Sequence, residues 1–494
     1  MWSCVFWRRT IFSFIFILGL CCTSCALTTT VSPRAAPTGG LDTFIEVVRI
    51  IESAYWDTDK VNPQTLLKGV VDGMQPHLIR QQGHISNKGD QLVLSLNGQT
   101  KAVDLTSVGT TRELMHAFAD IHDFVLQHQR PTAEPIHWEY RAIEGMIKGL
   151  DANSAFMPPH VFREMQEEMR GSFGGIGFRL GLEEGELVIL GPMQGIAGSR
   201  AGLKGGDRIV KIDGSPTKGL TLQEAVRRLR GPVGSRVVLG LLRTGSTEPE
   251  DVAIIRAKIE IETVESRILD GHIGYVKVHS FHETTDQEAE RALNQLAQHK
   301  VQGLILDLRD NPGGFLIQAV KVSNLFLDEG LVVVSTEGRL SYQNARYLTN
   351  GAGPYRHYPL IVLINSASAS SAEIVTGALQ DLHRAMIVGT RSYGKGSVQT
   401  IVPLDDGAGL RLTTAHYFTP SGRSIDRIGI RPDIEEHNAG PEDRQLSMAQ
   451  AILQEALALA NRRRSPSRRE AARIDNRAPL EVGRAMWATP AVPP

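Results

Sequence analysis

Cysteine is almost absent: the 494 residues hold only Cys4, Cys21, Cys22 and Cys25, all at the amino terminus. The body of the chain therefore has no disulfide, no thiolate metal ligand and no cysteine nucleophile. Two familiar catalytic signatures are missing as well. There is no His-Glu-x-x-His zinc motif and no Gly-x-Ser-x-Gly turn presenting a serine at the end of a strand. Basic surface is also scarce. Lys and Arg number 53 against 54 Asp and Glu, a net charge of −1. Residues 1–26 carry only Arg8 and Arg9, and residues 461–494 carry eight Arg against three acids, so removing both ends leaves the body near −8. That balance excludes nucleic acid as a partner, because phosphate binding requires a basic face. What is there, 41% hydrophobic and 22% charged residues over 494 positions, fits two to four globular domains.

The amino terminus has Arg8-Arg9 followed by an apolar run from Ile11 to Cys22. This is the length of a signal-peptide core and too short for a helix to cross about 30 Å of hydrocarbon. Export to the periplasm or cell envelope is expected. Three outcomes stay open: cleavage after Ala26, lipidation of Cys25 within Cys22-Thr23-Ser24-Cys25, or retention as an uncleaved anchor. Membrane association is then expected only through the leader or a lipid on Cys25. Residues 27–40 are rich in Thr, Pro and Gly and read as a linker.

Residues 41–171 read as a helical N-terminal region, opening with Phe44, Val47, Val48 and Ile51 on one face. EYRAIEGMIKGL (139–150) echoes LLKGVVDGM (66–74), with an insertion at about 75–135 between them that holds a strand at Gln91–Leu96 and a helix at Thr111–His128. On that helix His116, His122 and His128 recur every six residues, a rotation of about 240° per step, so they cannot converge on a metal. No metal site is expected. Residues 172–258 form a strand-rich unit with one helix, started by Thr221 with Glu224 three residues on and carrying Leu222, Ala225, Val226 and Leu229 on one face. From 259 to 446 the rhythm is α/β: HIGYVKV, GLILDLR, PLIVLIN and RAMIVG alternate with helices at Asp286–Gln298, Leu316–Phe326 and Ser371–Leu382. An amphipathic helix at 447–461 and a basic, disordered tail at 462–494 close the chain.

GTRSYGKG (389–396) fits a phosphate-binding loop, but Gly396 stands where Mg²⁺ needs Ser or Thr, and a strand pattern follows instead of a helix. No nucleotide or other cofactor is expected. What remains is the serine cluster NSASASSAEIVTGALQDL (365–382), placed where a strand turns into a helix, and Lys395 between Gly394 and Gly396. The unpaired N–H groups of a helix start can stabilise an oxyanion. A buried lysine can serve as a base, because apolar surroundings penalise its charged form. Close packing and a solvated turn lysine are the alternative readings of the same two segments. Asp381 shares the Ser370 helix but lies about 16 Å along its axis and is expected to be structural.

DLRDNPGG (307–314), SASSAEI (368–374) and YGKGSVQ (393–399) together resemble the carboxyl-terminal processing peptidases, or tail-specific proteases. FGGIGF (173–178), GLDANSAFMPP (149–159), AGLKGGDRIVKIDG (201–214), LTTAHYFTPSGRSI (412–425) and GIRPD (429–433) resemble further landmarks of that family in the same order. The resemblance implies an α/β fold: a crotonase-like αβ protease core with an inserted PDZ domain at 172–258. It implies a serine endopeptidase in which Ser370 is the nucleophile, Lys395 the general base and Gln399 a residue that assists Lys395. The candidate oxyanion hole is the backbone N–H of Ser371 with that of Gly313 or Gly314. Gly174, Gly175, Ile176 and Gly177 would turn N–H groups toward a tail carboxylate, with the peptide adding as a strand beside Phe178. Protein or peptide C-terminal tails are the expected partners, together with an adaptor or regulatory protein. The alternative from another class is a catalytically idle PDZ scaffold. The family's LDPHS element reads LDANS at 150–154, a departure expected to bear on N-terminal regulation and not on the dyad.

Overall fold

The computed structural model describes residues 41–131, 135–192, 202–243 and 245–464. The readings made on the leader, the linker and the basic tail beyond 464 fall outside these residues.

In the N-terminal region the echoed sequences are two helices, Pro63–Arg80 and Trp138–Lys148, that cross on their glycines. A Cβ on Gly73 would stand 2.1 Å from Arg141 O, and one on Gly145 would stand 2.2 Å from Gly69 O. The repeat is thus a close helix crossing with backbone against backbone. Gly73→Ala is expected to destabilise the protein by about 1–3 kcal/mol through overpacking, read as a lowered Tm in a thermal melt. An unchanged Tm would show that the crossing opens freely.

Residues 75–131 contribute to this same core. They hold an antiparallel sheet of His84–Lys88, Gln91–Leu96 and Gln99–Asp104, where sequence reading finds only the middle strand. Its second turn, Asn97-Gly98, has φ of 51° and 82°, the left-handed pair that a tight hairpin requires. Leu92, Leu94 and Leu96 bury one face against Phe118 and Val125 of the Thr111–His128 helix, together with Phe44, Leu67 and Trp138. The three histidines of that helix point apart as expected: His122 is buried, His116 exposed and His128 between.

The strand-rich unit is a sheet in the order Glu250–Ile255, Arg236–Leu242, Arg208–Ile212, Glu186–Pro192, Phe178–Glu183. The helix Leu222–Leu229 packs on it, with its Thr221–Glu224 capping box formed. Ala225 and Leu229 are buried, while Leu222 is exposed. Ser172–Gly175 pairs with Ala257–Glu260, so entry to and exit from the unit lie side by side.

The α/β region has two sheets. One runs Val264–Leu269, Ile273–Val278, Gly303–Asp307, Leu360–Ile364, Met386–Gly389, Ile434–Glu435, antiparallel at its first pair and parallel after that. The other is antiparallel, with Ala345–Leu348, Val332–Gly338, Gly409–Phe418 and Ser397–Pro403 in order. In the parallel strand Leu360–Ile364, Leu360, Val362 and Ile364 face one core, while Ile361 and Leu363 face another closed by Ala449 and Leu453. The helix that carries those two residues spans Arg444–Arg464, longer at both ends than 447–461. Its start is fastened to the sheet by Arg309, which pairs with Asp307 and Asp443 at 2.6 Å each.

Candidate active site

Strand Leu360–Ile364 ends in a loop held from two sides. Ser368 Oγ donates to Leu308 O at 2.8 Å, and Ala369 N donates to Asn311 O at 2.9 Å. The next residue, Ser370, has φ +54° and ψ −114° and starts the helix Ser371–Asp381. A left-handed serine at a strand-to-helix turn costs about 1–3 kcal/mol and persists only when its surroundings hold it. This chain thus makes a strained serine turn without the Gly-x-Ser-x-Gly motif.

Glu373, fully buried, does the holding. Its Oε2 accepts from Ser370 N at 2.8 Å and Lys395 N at 2.9 Å; its Oε1 accepts from Gly394 N at 2.7 Å and Ser392 Oγ at 2.5 Å. One carboxylate therefore joins the backbone of the serine turn to that of the lysine loop. Tyr417, whose hydroxyl burial holds in its protonated form, adds a second tie between the carbonyls of Ser370 (3.1 Å) and Lys395. Sequence reading named neither residue as part of the site. An acid three residues into a helix is a capping signal that could have pointed to Glu373; Tyr417 comes from another sheet, inside the LTTAHYFTPSGRSI landmark, and nothing local to it points to the serine turn.

Lys395 is half-buried. Burial lowers its pKa from the ordinary 10.5, the Arg411 guanidinium lowers it further, and Glu373 pulls the other way. The glycines beside it are required by close contacts: a Cβ on Gly394 would come within 2.9 Å of Gly429 N, and one on Gly396 within 2.7 Å of Asp426 N. The strand Ser397–Pro403 follows directly, as the argument against a phosphate loop expects. Gln399 lies on that strand, but its amide NH₂ donates to Ser397 Oγ at 2.8 Å and Thr413 Oγ1 at 3.5 Å. Among the described residues Lys395 Nζ makes no hydrogen bond to Gln399 or Ser370.

Of the three N–H groups expected at the oxyanion, that of Gly313 donates to Asn311 Oδ1 at 2.8 Å. Those of Gly314 and Ser371 make no hydrogen bond among the described residues, which narrows the candidate pair to these two. Gly313 instead supplies room: a Cβ there would stand 2.7 Å from Ser370 Cβ. Asp381 lies at the far end of the helix, accepting from Ser421 Oγ (2.6 Å) and Arg423 Nη2 (2.8 Å), a structural position.

In the strand-rich unit, Gly175, Ile176, Gly177 and Phe178 line a cavity of about 100 Å³ with Val226 of the helix opposite and Arg230 just past its end. Gly174 is excluded from it. Its carbonyl accepts from Gly231 N at 3.1 Å, and a Cβ there would meet Gly231 O. Phe178–Glu183 is a sheet edge, able to receive one more strand. Arg230 lies over the Phe173 ring at 4.1 Å, placing a cation by the groove that sequence reading did not single out.

The sequence profile of Peptidase family S41 matches residues 272–436, and that of the PDZ domain matches residues 164–242. A carboxy-terminal-processing protease of Bartonella bacilliformis is 39% identical over 355 residues, 71% of this chain and 81% of that protein. A carboxyl-terminal-processing protease of Synechocystis is 34% identical over 338 residues, 65% of this chain and 78% of that protein. The carboxy-terminal processing protease CtpA of Bacillus subtilis is 38% identical over 297 residues, 60% of this chain and 63% of that protein. Fold and similarity together define a serine protease with a PDZ domain set into an α/β core. The chain belongs to the carboxy-terminal-processing protease family of peptidase family S41.

Proposed function

We propose that the chain is an exported serine endopeptidase with a Ser370–Lys395 dyad, which holds protein C-terminal tails in its PDZ groove and cleaves upstream of them. The observation that carries this reading is the Glu373 carboxylate, which accepts from the backbone N–H of both Ser370 and Lys395. Ser370 Oγ attacks the scissile carbonyl and neutral Lys395 takes its proton. The N–H groups of Gly314 and Ser371 receive the developing oxyanion. Lys395 then protonates the leaving amine, and water hydrolyses the acyl-enzyme by the same route reversed. Gln399 assists by accepting a hydrogen from Lys395 Nζ on its carbonyl oxygen. Export rests on the Arg8-Arg9 and Ile11–Cys22 pattern; no helix among the described residues is long and apolar enough to cross a membrane.

Tail capture is tested on the full chain with Ser370→Ala, which separates binding from cutting. The N–H groups at Ile176–Gly177 and the Arg230 cation favour a carboxylate. Hydrogen bonds to a charged group contribute about 1.5–3 kcal/mol, so amidating a tail peptide is expected to weaken binding about ten-fold or more. Gly177→Val, at φ +77°, is expected to lose the free-acid preference. Titration calorimetry showing equal affinity for acid and amide would remove this turn as the carboxylate reader.

A further inference from the structure

The LDANS loop comes from the N-terminal region, yet its side chains end beside the lysine strand. Asp151 Oδ1 accepts from Asn153 N at 2.6 Å and Ser154 N at 2.8 Å, folding the loop into a turn. Arg411 Nε donates to Asn153 O at 3.0 Å, which fastens that turn to the strand Gly409–Phe418. From this position Asn153 Nδ2 donates to Ser397 Oγ at 3.1 Å, the same oxygen that accepts from Gln399 Nε2 at 2.8 Å. A serine oxygen has two lone pairs, and here two amides fill them. Thr413 Oγ1 takes a longer contact from Gln399 Nε2, at 3.5 Å, while itself donating to Asp151 Oδ1 at 3.2 Å. The NH₂ end of Gln399 is thus turned toward the loop from two sides, and an amide whose NH₂ faces one way presents its carbonyl oxygen the other way.

We propose that Asn153 is a positioning residue of the protease reaction: acting through Ser397 Oγ, it sets the Gln399 amide so that Gln399 Oε1 is the atom offered to Lys395 Nζ. This rests on the dyad reading above, in which Gln399 assists Lys395. A neutral lysine has two N–H donors and one lone pair. Placing one N–H on Gln399 Oε1 restricts rotation of the amine and keeps the lone pair toward Ser370 Oγ. A flipped Gln399 would present NH₂ to the amine, compete for that lone pair and weaken the base.

The test uses the full-length enzyme with fluorescence-quenched β-casein, measuring kcat and KM separately. Asn153→Leu removes the donor at similar size and is expected to lower kcat about five- to ten-fold, the weight of one neutral hydrogen bond, with KM unchanged. Asn153→His is expected to restore kcat to within about two-fold of wild type. Should Asn153→Leu fold poorly, Ser397→Ala removes the relaying oxygen from the neighbouring strand and is expected to give the same kcat loss. In a Gln399→Ala background Asn153→Leu is expected to add less than about two-fold, because the group it sets is already gone. Losses that multiply in the double variant, or equal losses in the His and Leu variants, would overturn the proposal. A slow Gln399→Ala enzyme beside an Asn153→Leu enzyme of wild-type rate would reject the positioning role alone. A Gln399→Ala enzyme of wild-type rate would reject the assisting role of Gln399 and the positioning role with it.

Discussion

Lys395→Ala is expected to lower kcat/KM by about 10⁴-fold or more while the protein stays folded, because the base and the nucleophile serve one covalent route. Ser370→Ala is expected to match it, and the double variant to be no worse than either. A fluorophosphonate probe should label wild type and fail on Ser370→Ala. The surviving enzyme carries a second signature in its pH profile. Lys395 acts as a base only when neutral, so kcat/KM rises with pH through the lysine pKa. Burial first, and Arg411 second, bring that pKa below 10.5. The ascending limb therefore lies at lower pH than a solvated lysine would give, and removing the Arg411 charge moves it upward. Turnover by Lys395→Ala near the wild-type rate, or a rate that falls across this limb in folded protein, contradicts the assignment.

The second large effect belongs to Glu373. Glu373→Gln keeps size but replaces one accepting oxygen by an NH₂ group, which then faces donors. Buried donors left without acceptors cost about 1–3 kcal/mol each, so a stability loss of roughly 2–6 kcal/mol in urea unfolding is expected. Activity should fall further than stability alone dictates, because the strained Ser370 backbone and the Lys395 backbone lose their common anchor together. Asp381→Asn is the contrast. Its carboxylate fastens the other end of the same helix to Ser421 and Arg423, so it is expected to lower Tm and leave kcat near wild type. Equal kcat in the two variants would show that Glu373 holds the fold and not the site.

Much of this arrangement is legible in the sequence because its signals are local. The Thr221–Glu224 pair announces a helix start, and runs such as PLIVLIN announce strands covered on both faces. The serine turn and the glycine-flanked lysine stand out for the same reason. Contacts between distant segments left no such trace. Leu92, Leu94 and Leu96 read as an isolated strand because the partners on either side, HISNK and QTKAVD, are too polar to signal one. Gly174 and Gly177 look alike in FGGIGF, yet one is locked against Gly231 and the other turns at the groove. Asn153 was expected to matter away from the dyad; the structure places it one serine from Gln399, across 244 positions of sequence.

The paired strands Ser172–Gly175 and Ala257–Glu260 make the PDZ domain a detachable head on a short stem. Gly171 O and Ile261 N, the first host residues on either side, are joined by a hydrogen bond of 2.8 Å. The host chain is thus already closed beneath the insertion, and among the described residues no strand or core residue of the α/β region is on loan from the head's own sheet. Selection can therefore exchange or retune the PDZ domain without disturbing the α/β core. A single catalytic body can in this way be fitted to different proteins by variation confined to one side of the stem.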